Sequence, residues 1–214
     1  MSQNALLHAK NPSSVWTEVG CDASGDLLVA LATGTNVIGK VGIDQTTDGS
    51  TNAVYVKSQG HLASVTTTRP NDTTAYTAGD AMGDVSGSAI MEFTNMARAS
   101  GGNIMITSAS MRVDIASLPS GMAGLKLHLY SSAPTAIADN AAWNLVAADR
   151  TKYLGFVQLG TPADFGDTLF VEVNGINKHV QLTGTSLFVI PVLDAGFTPS
   201  ASTVREFKLR SIDL

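Results

Sequence analysis

The chain has 214 residues, with 13 Lys and Arg against 18 Asp and Glu, a formal net charge of −5, and only 14% charged residues. That length suits one domain or a domain with an appendage. The acidic balance, with no basic run interleaved with aromatics, excludes a nucleic-acid footprint, and no apolar run reaches the length of a membrane span. A lone cysteine, Cys21, excludes an intrachain disulfide framework. Ser, Thr, Ala, Gly and Asn replace the missing charge, giving a surface suited to packing against other protein.

The first segment, MSQNALLHAKNPSSVW, has no charged region or long apolar run of a secretory signal. It reads as a flexible arm over residues 1–15. Leu6, Leu7, Val15 and Trp16 stand between polar residues and Pro12. Such a segment is too short and polar to fold alone, yet its apolar residues can order on a partner, so these four are the expected contacts with a partner or another subunit. Trp16 has a second reading, burial in the core.

Residues 16–65 contain a repeat. VGCDASGDL (19–27) aligns with VYVKSQGHL (54–62), placing Val19 on Val54, Cys21 on Val56, Gly25 on Gly60 and Leu27 on Leu62. TNVI (35–38) echoes TNAV (51–54). Each unit reads as strand, glycine turn, strand, with hairpins over 19–33 and 51–65. Small hairpins cannot bury a face alone, so they need the main domain or neighbouring copies. Cys21, matched by valine, reads as a small buried apolar residue.

Two motif-like stretches fall inside this region. GTNVIGKVG (34–42) approaches a phosphate-binding loop, but Val41 stands where a magnesium-ligating Ser or Thr is required and no helix pattern follows. DQTTDGSTNAVY (44–55) approaches a calcium loop, but its twelfth residue is Tyr55 rather than a bidentate Glu. Both read as turns, with Lys40 outward.

From 66 onward the period is two. NDTTAYTAGDAMGD (71–84) offers Asp72, Asp80 and Asp84, a set that could hold a cation in a loop; the simpler reading is a polar loop, since Asp is a common turn former. Strands are predicted at AIMEFTN (89–95), NIMITSASMRVDI (103–115, with a phase shift near Ser108), GLKLHLYS (124–131), TKYLGFVQLG (151–160), TLFVEVNG (168–175), KHVQLT (178–183), SLFVIPVLDA (186–195) and REFKLRS (205–211). In GLKLHLYS the leucines face inward, and Lys126, His128 and Tyr130 outward. Pro191 must sit at an edge, end or bulge. Asn-Gly at 174–175 predicts a turn. Residues 135–150 predict one or two short helical turns in a long loop, with Trp143 plugging one end of the core. The spacing of strands and turns predicts an all-β sandwich or barrel, read as one antiparallel β-sandwich over 66–214 preceded by the hairpin repeat.

No catalytic constellation appears. His8, His61, His128 and His179 are far apart, without metal-type spacing, and no G-x-S-x-G elbow occurs. The expectation is a non-enzyme without cofactor or metal.

TTTRPNDTTAYTAGDAMGD (66–84), AIMEFTNMAR with SGGNIMITSASM, LKLHLYSSAPTAIADNAAWNLVAADRTKYLGFV and the earlier GTNVIGKVGIDQTTDGSTNAVYVK together resemble virion structural proteins of tailed bacteriophages. The resemblance covers about residues 20 to 200. By analogy with capsid decoration (cement) proteins, it implies a jelly-roll-like sandwich on the outer surface of the phage head. It also implies a homo-oligomer, a trimer, with the major capsid protein as partner, assembled in the host cytoplasm. The alternative is a tail, neck or fibre-associated sandwich that binds a host carbohydrate. Sugar sites need aromatic platforms, and for cleavage paired carboxylates, whereas aromatics are 6% here and rarely cluster along the chain.

Overall fold

The computed structural model describes residues 8–10, 16–18 and 59–214. In chain order the strands are β1 (His8–Lys10), β2 (Trp16–Glu18), β3 (Gly60–Thr68), β4 (Met91–Phe93), β5 (Asn103–Val113) and β6 (Leu125–Tyr130). After a 3₁₀ turn at Ala147–Asp149 come β7 (Tyr153–Leu159), β8 (Ala163–Asp164), β9 (Leu169–Gln181), β10 (Leu187–Leu193) and β11 (Val204–Asp213). The chain divides into two compact units, Met1–Tyr55 and Val56–Leu214. In the first, β1 pairs antiparallel with β2, Lys10 opposite Trp16. Residues 8–10, expected within a flexible arm, are therefore a strand. The predicted hairpin over 19–33 lies outside the described residues.

The second unit is an antiparallel sandwich. One sheet has the order β3-β11-β5-β9-β8, the other β4-β10-β6-β7. The pairing is nested along the chain: β3 with β11, β4 with β10, β5 with β9, β6 with β7. β3 begins at Gly60 and pairs along its length with β11. The sandwich therefore starts before residue 66, and residues 60–65 belong to it rather than to the repeat. One core fills the space between the sheets. Phe93, Leu125, Leu127, Leu129, Leu187 and Val189 come from one sheet; Ile104, Ile106, Met111, Phe207 and Leu209 come from the other. Burying each such side chain contributes about 1.5–3 kcal/mol.

β5 carries the predicted phase shift. Ile104 and Ile106 are buried, and then Ala109, Met111 and Val113, one step out of phase. Against β11 the register passes from Ser108–Arg210 to Ile106–Ser211, leaving Thr107 unpaired as a bulge. Against β9 it passes from Ser108–Asn174 to Ile106–Lys178.

That second jump overturns the predicted turn at 174–175. β9 runs unbroken from Leu169 to Gln181, and Gly175 and Asn177 adopt positive φ (70° and 51°) to fit the extra residues. The Asn-Gly pair thus serves a bulge, because both residue types enter the left-handed region at low cost. A Cβ on Gly175 would meet nothing within 4 Å. Gly175→Ala is therefore expected to cost only the backbone term, about 1 kcal/mol in urea unfolding; an unchanged midpoint would rule out the left-handed bulge.

Pro191 sits in β10, beyond the reach of β4, whose pairing ends at Val189. Its carbonyl accepts from Met82 N–H at 2.9 Å, so its missing donor faces that segment and not β6. This is the edge-like position that proline requires.

The outer face of the four-stranded sheet departs most from expectation. Ala81, Ala89, Tyr130, Ile190 and Val192 form a second buried cluster, against which Ile137, Trp143, Leu145 and Tyr153 pack. The β6–β7 loop and the stretch before β4 roof that face. His128 and Tyr130, expected outward, are 5% and 1% exposed, and Trp143 covers this face instead of plugging an end of the core.

Candidate functional site

Of the expected contact residues, Leu6, Leu7 and Val15 lie outside the described residues. Trp16 opens β2. The stretches 34–42 and 44–55 and Cys21 also lie outside them. Asp72, Asp80 and Asp84 serve three separate local turns. Asp72 Oδ1 accepts from Thr74 N–H at 2.9 Å, Asp80 Oδ2 from Thr77 N–H at 2.6 Å, and Asp84 Oδ1 from Ser86 N–H at 2.7 Å. Among the described residues no three His, Cys, Asp or Glu side chains are placed to share a metal ion. Within the second unit, His61, His128 and His179 have separate surroundings. His61 Nε2 is 3.1 Å from Asp213 Oδ2, and His179 Nε2 is 3.2 Å from Met105 Sδ.

Two constellations assemble in the fold instead. The first lies where β3 ends and β11 begins. Arg69 and Arg205 are 1% and 2% exposed. Arg69 donates to Asp72 Oδ1 and to Thr74 O, each at 2.9 Å, to Asp72 O, and through Nε to Tyr76 Oη at 3.3 Å. Burial pushes its guanidinium toward the neutral form, but hydrogen bonds and electrostatic attraction from Tyr76 and Asp72 outweigh this and raise its pKa. Tyr76 Oη in turn donates to Asp139 Oδ1 at 2.6 Å, which also accepts from Gly83 N–H at 2.7 Å. Gly83 must be glycine for this approach, since a Cβ would stand 2.8 Å from the Asp139 backbone. Arg205 donates to Gly83 O, while its Nε is buried without a partner.

The second constellation lies on the roofed outer face of β6 and β7. The His128 and Trp143 rings stack with centroids 3.8 Å apart. Tyr153 lies 5.8 Å and Phe156 5.7 Å from His128, and His128 Nδ1 is 2.9 Å from Tyr153 Oη. Trp143 Nε1 donates to Tyr130 Oη at 3.1 Å. Burial, with Lys126 adding repulsion, lowers the His128 pKa to about 4, against a smaller opposite pull from Asp194. At the rim Lys126 pairs with Asp194, which also accepts from Gln158 Nε2 at 2.5 Å. Phe156 is 46% exposed. With Gln158, Ile176 and Lys178 it lines an open groove of about 450 Å³.

The chain offered a signal for one of these sites. In the alternation Arg205, Phe207, Leu209 the arginine occupies an inward position, and an inward charge is a buried charge. Nothing local announces the aromatic cluster, whose members come from β6, the following loop and β7. No model of a known protein family matches the chain, and no curated protein matches it in sequence.

Proposed function

We propose that the chain is a non-enzymatic virion structural protein of a tailed bacteriophage, whose jelly-roll sandwich decorates the outer surface of the head. The observation that carries this reading is the nested strand pairing, first with last and inward to β6 with β7. Such nesting supports a jelly-roll reading of the sandwich, an architecture frequent in viral capsid and lectin domains. Architecture alone does not fix function; the phage-like phrases of the sequence and its low charge support the same reading. The partners are the major capsid protein and further copies of the chain, as a trimer. The segment with Leu6, Leu7, Val15 and Trp16 makes the attachment, and repetition over a symmetric shell adds avidity.

The test is imaging of capsids lacking the protein after mixing with the purified chain. Density on local symmetry axes of the shell is the expected result; density confined to the portal vertex or tail would overturn it. Deleting residues 1–16 is expected to abolish shell binding and trimerisation, and retention of both would remove the role given to that segment.

A second reading has its own observation. Trp143, Tyr153 and Phe156 gather beside Lys126, Gln158 and Asp194, next to a groove within the size range of small-ligand sites. Rings flanked by polar groups suit a sugar, as on a tail or fibre protein that binds host glycans. Strong, selective signal on a glycan array, lost in Phe156→Ala, would favour this reading over head decoration.

A further inference from the structure

The arginine end of the sandwich holds a charge and a donor, both on Arg205, that the described residues leave unmatched. Arg69 has Asp72 at 2.9 Å and Asp139 at 3.9 Å, and each of its three nitrogens has an acceptor. Arg205 is as deeply buried, yet among the described residues it forms no ion pair. Its Nε–H points to no acceptor. Both arginines line a recess of about 20 Å³, whose other walls include Met82, Val113, Met122 and Phe197. Two of the lining hydroxyls are committed elsewhere: Tyr76 Oη donates to Asp139, and Thr203 Oγ1 donates to Ser200 O at 2.7 Å.

We propose that this recess binds one small monovalent anion of chloride or bromide size, held by the Nε–H and the charge of the Arg205 guanidinium. Size argues for a single-atom guest: one water needs roughly 10–15 Å³, and a carboxylate or phosphate would not fit. Charge argues against water, which would satisfy the donor but leave the buried guanidinium without a counter-charge. The walls argue the same way. A buried water needs two to four polar partners, and these walls are mainly apolar. A halide is weakly hydrated, accepts one or two N–H bonds and tolerates hydrocarbon around the rest of its surface. Being bound only by the folded chain, it adds stability by mass action.

The test uses the purified full chain. Thermal unfolding is followed at constant ionic strength while gluconate, too large for the recess, is replaced by chloride or by bromide. Tm is expected to rise by about 2–4 °C with either halide. A crystal soaked in bromide is expected to show an anomalous peak within hydrogen-bond distance of Arg205 Nε. Arg205→Lys, which keeps the charge but removes the Nε–H, is expected to lose both effects. Equal Tm in all three salts would overturn the proposal, as would water alone in the recess of the soaked crystal. The same halide dependence in Arg205→Lys would assign the effect to general salt action and also overturn it.

Discussion

Phe207→Ala is expected to lower the stability of the sandwich by about 3–5 kcal/mol, the range for emptying a fully buried aromatic site. Phe207 is 1% exposed and sits mid-way along β11, with Val65 opposite on β3 and Met111 opposite on β5. It therefore stands where two ladders of the five-stranded sheet meet the common core. Alanine leaves a cavity that neighbours on two strands cannot both close, because each is fixed in register by its own hydrogen bonds. The loss combines the transfer term with lost dispersion contacts around the void. Chemical unfolding should show a lower midpoint with an unchanged slope, and Tm should fall by roughly 10 °C for a unit of this size. Lys208→Ala, one residue on but facing outward beside Glu206, is expected to change stability by less than about 0.5 kcal/mol. Similar losses at both positions would contradict the two-faced strand on which the sandwich rests.

The parts of this fold that were legible in the sequence are those fixed by short-range periodicity. Leu125, Leu127 and Leu129 point inward because alternate residues of a strand share a face, and the slip in β5 shows as a change of phase between Ile106 and Ala109. The parts that were not legible depend on distant segments. His128 and Tyr130 occupy polar-side positions of an alternating strand, so they read as solvated. Their burial is decided by a loop that carries Trp143 back over the sheet, and no local pattern reports where a loop will lie. The Asn-Gly pair at 174–175 failed for another reason. The same left-handed backbone serves a turn and a bulge, and only the pairing of β5 with both halves of β9 decides between them. The arginine network shares this property: Asp139 reaches Tyr76 and Gly83 across 63 and 56 residues.

Trp143→Ala is expected to expose His128 and to return its titration from about 4 toward the ordinary value of 6.5. Trp143 supplies the ring stacked 3.8 Å over the imidazole, and with it much of the burial that disfavours the charged form. The groups facing His128 are Tyr153 Oη at 2.9 Å, the Phe156 ring, and the charges of Lys126 and Asp194. Of these, Lys126 also opposes protonation and Asp194 favours it. In the native protein the imidazole stays neutral down to about pH 4, while in the unfolded chain it protonates near 6.5. The unfolded state therefore binds the extra proton first. The contribution to stability is complete above about pH 6.5 and is lost as pH falls through the folded value. At 1.36 kcal/mol per pH unit the gap amounts to about 3 kcal/mol. In Trp143→Ala that pH-dependent loss should shrink, because a hydrated imidazole titrates alike in both states. At neutral pH the variant should also be less stable by about 2–3 kcal/mol, below the full tryptophan range because Trp143 is only partly buried. Proton NMR of the His128 ring across pH 3 to 8 reads the first effect directly, and urea titrations at pH 7 and pH 4.5 read the second. A wild-type His128 that titrates near 6.5 would mean that the loop does not roof the sheet, and the aromatic platform built on it would fall with that result.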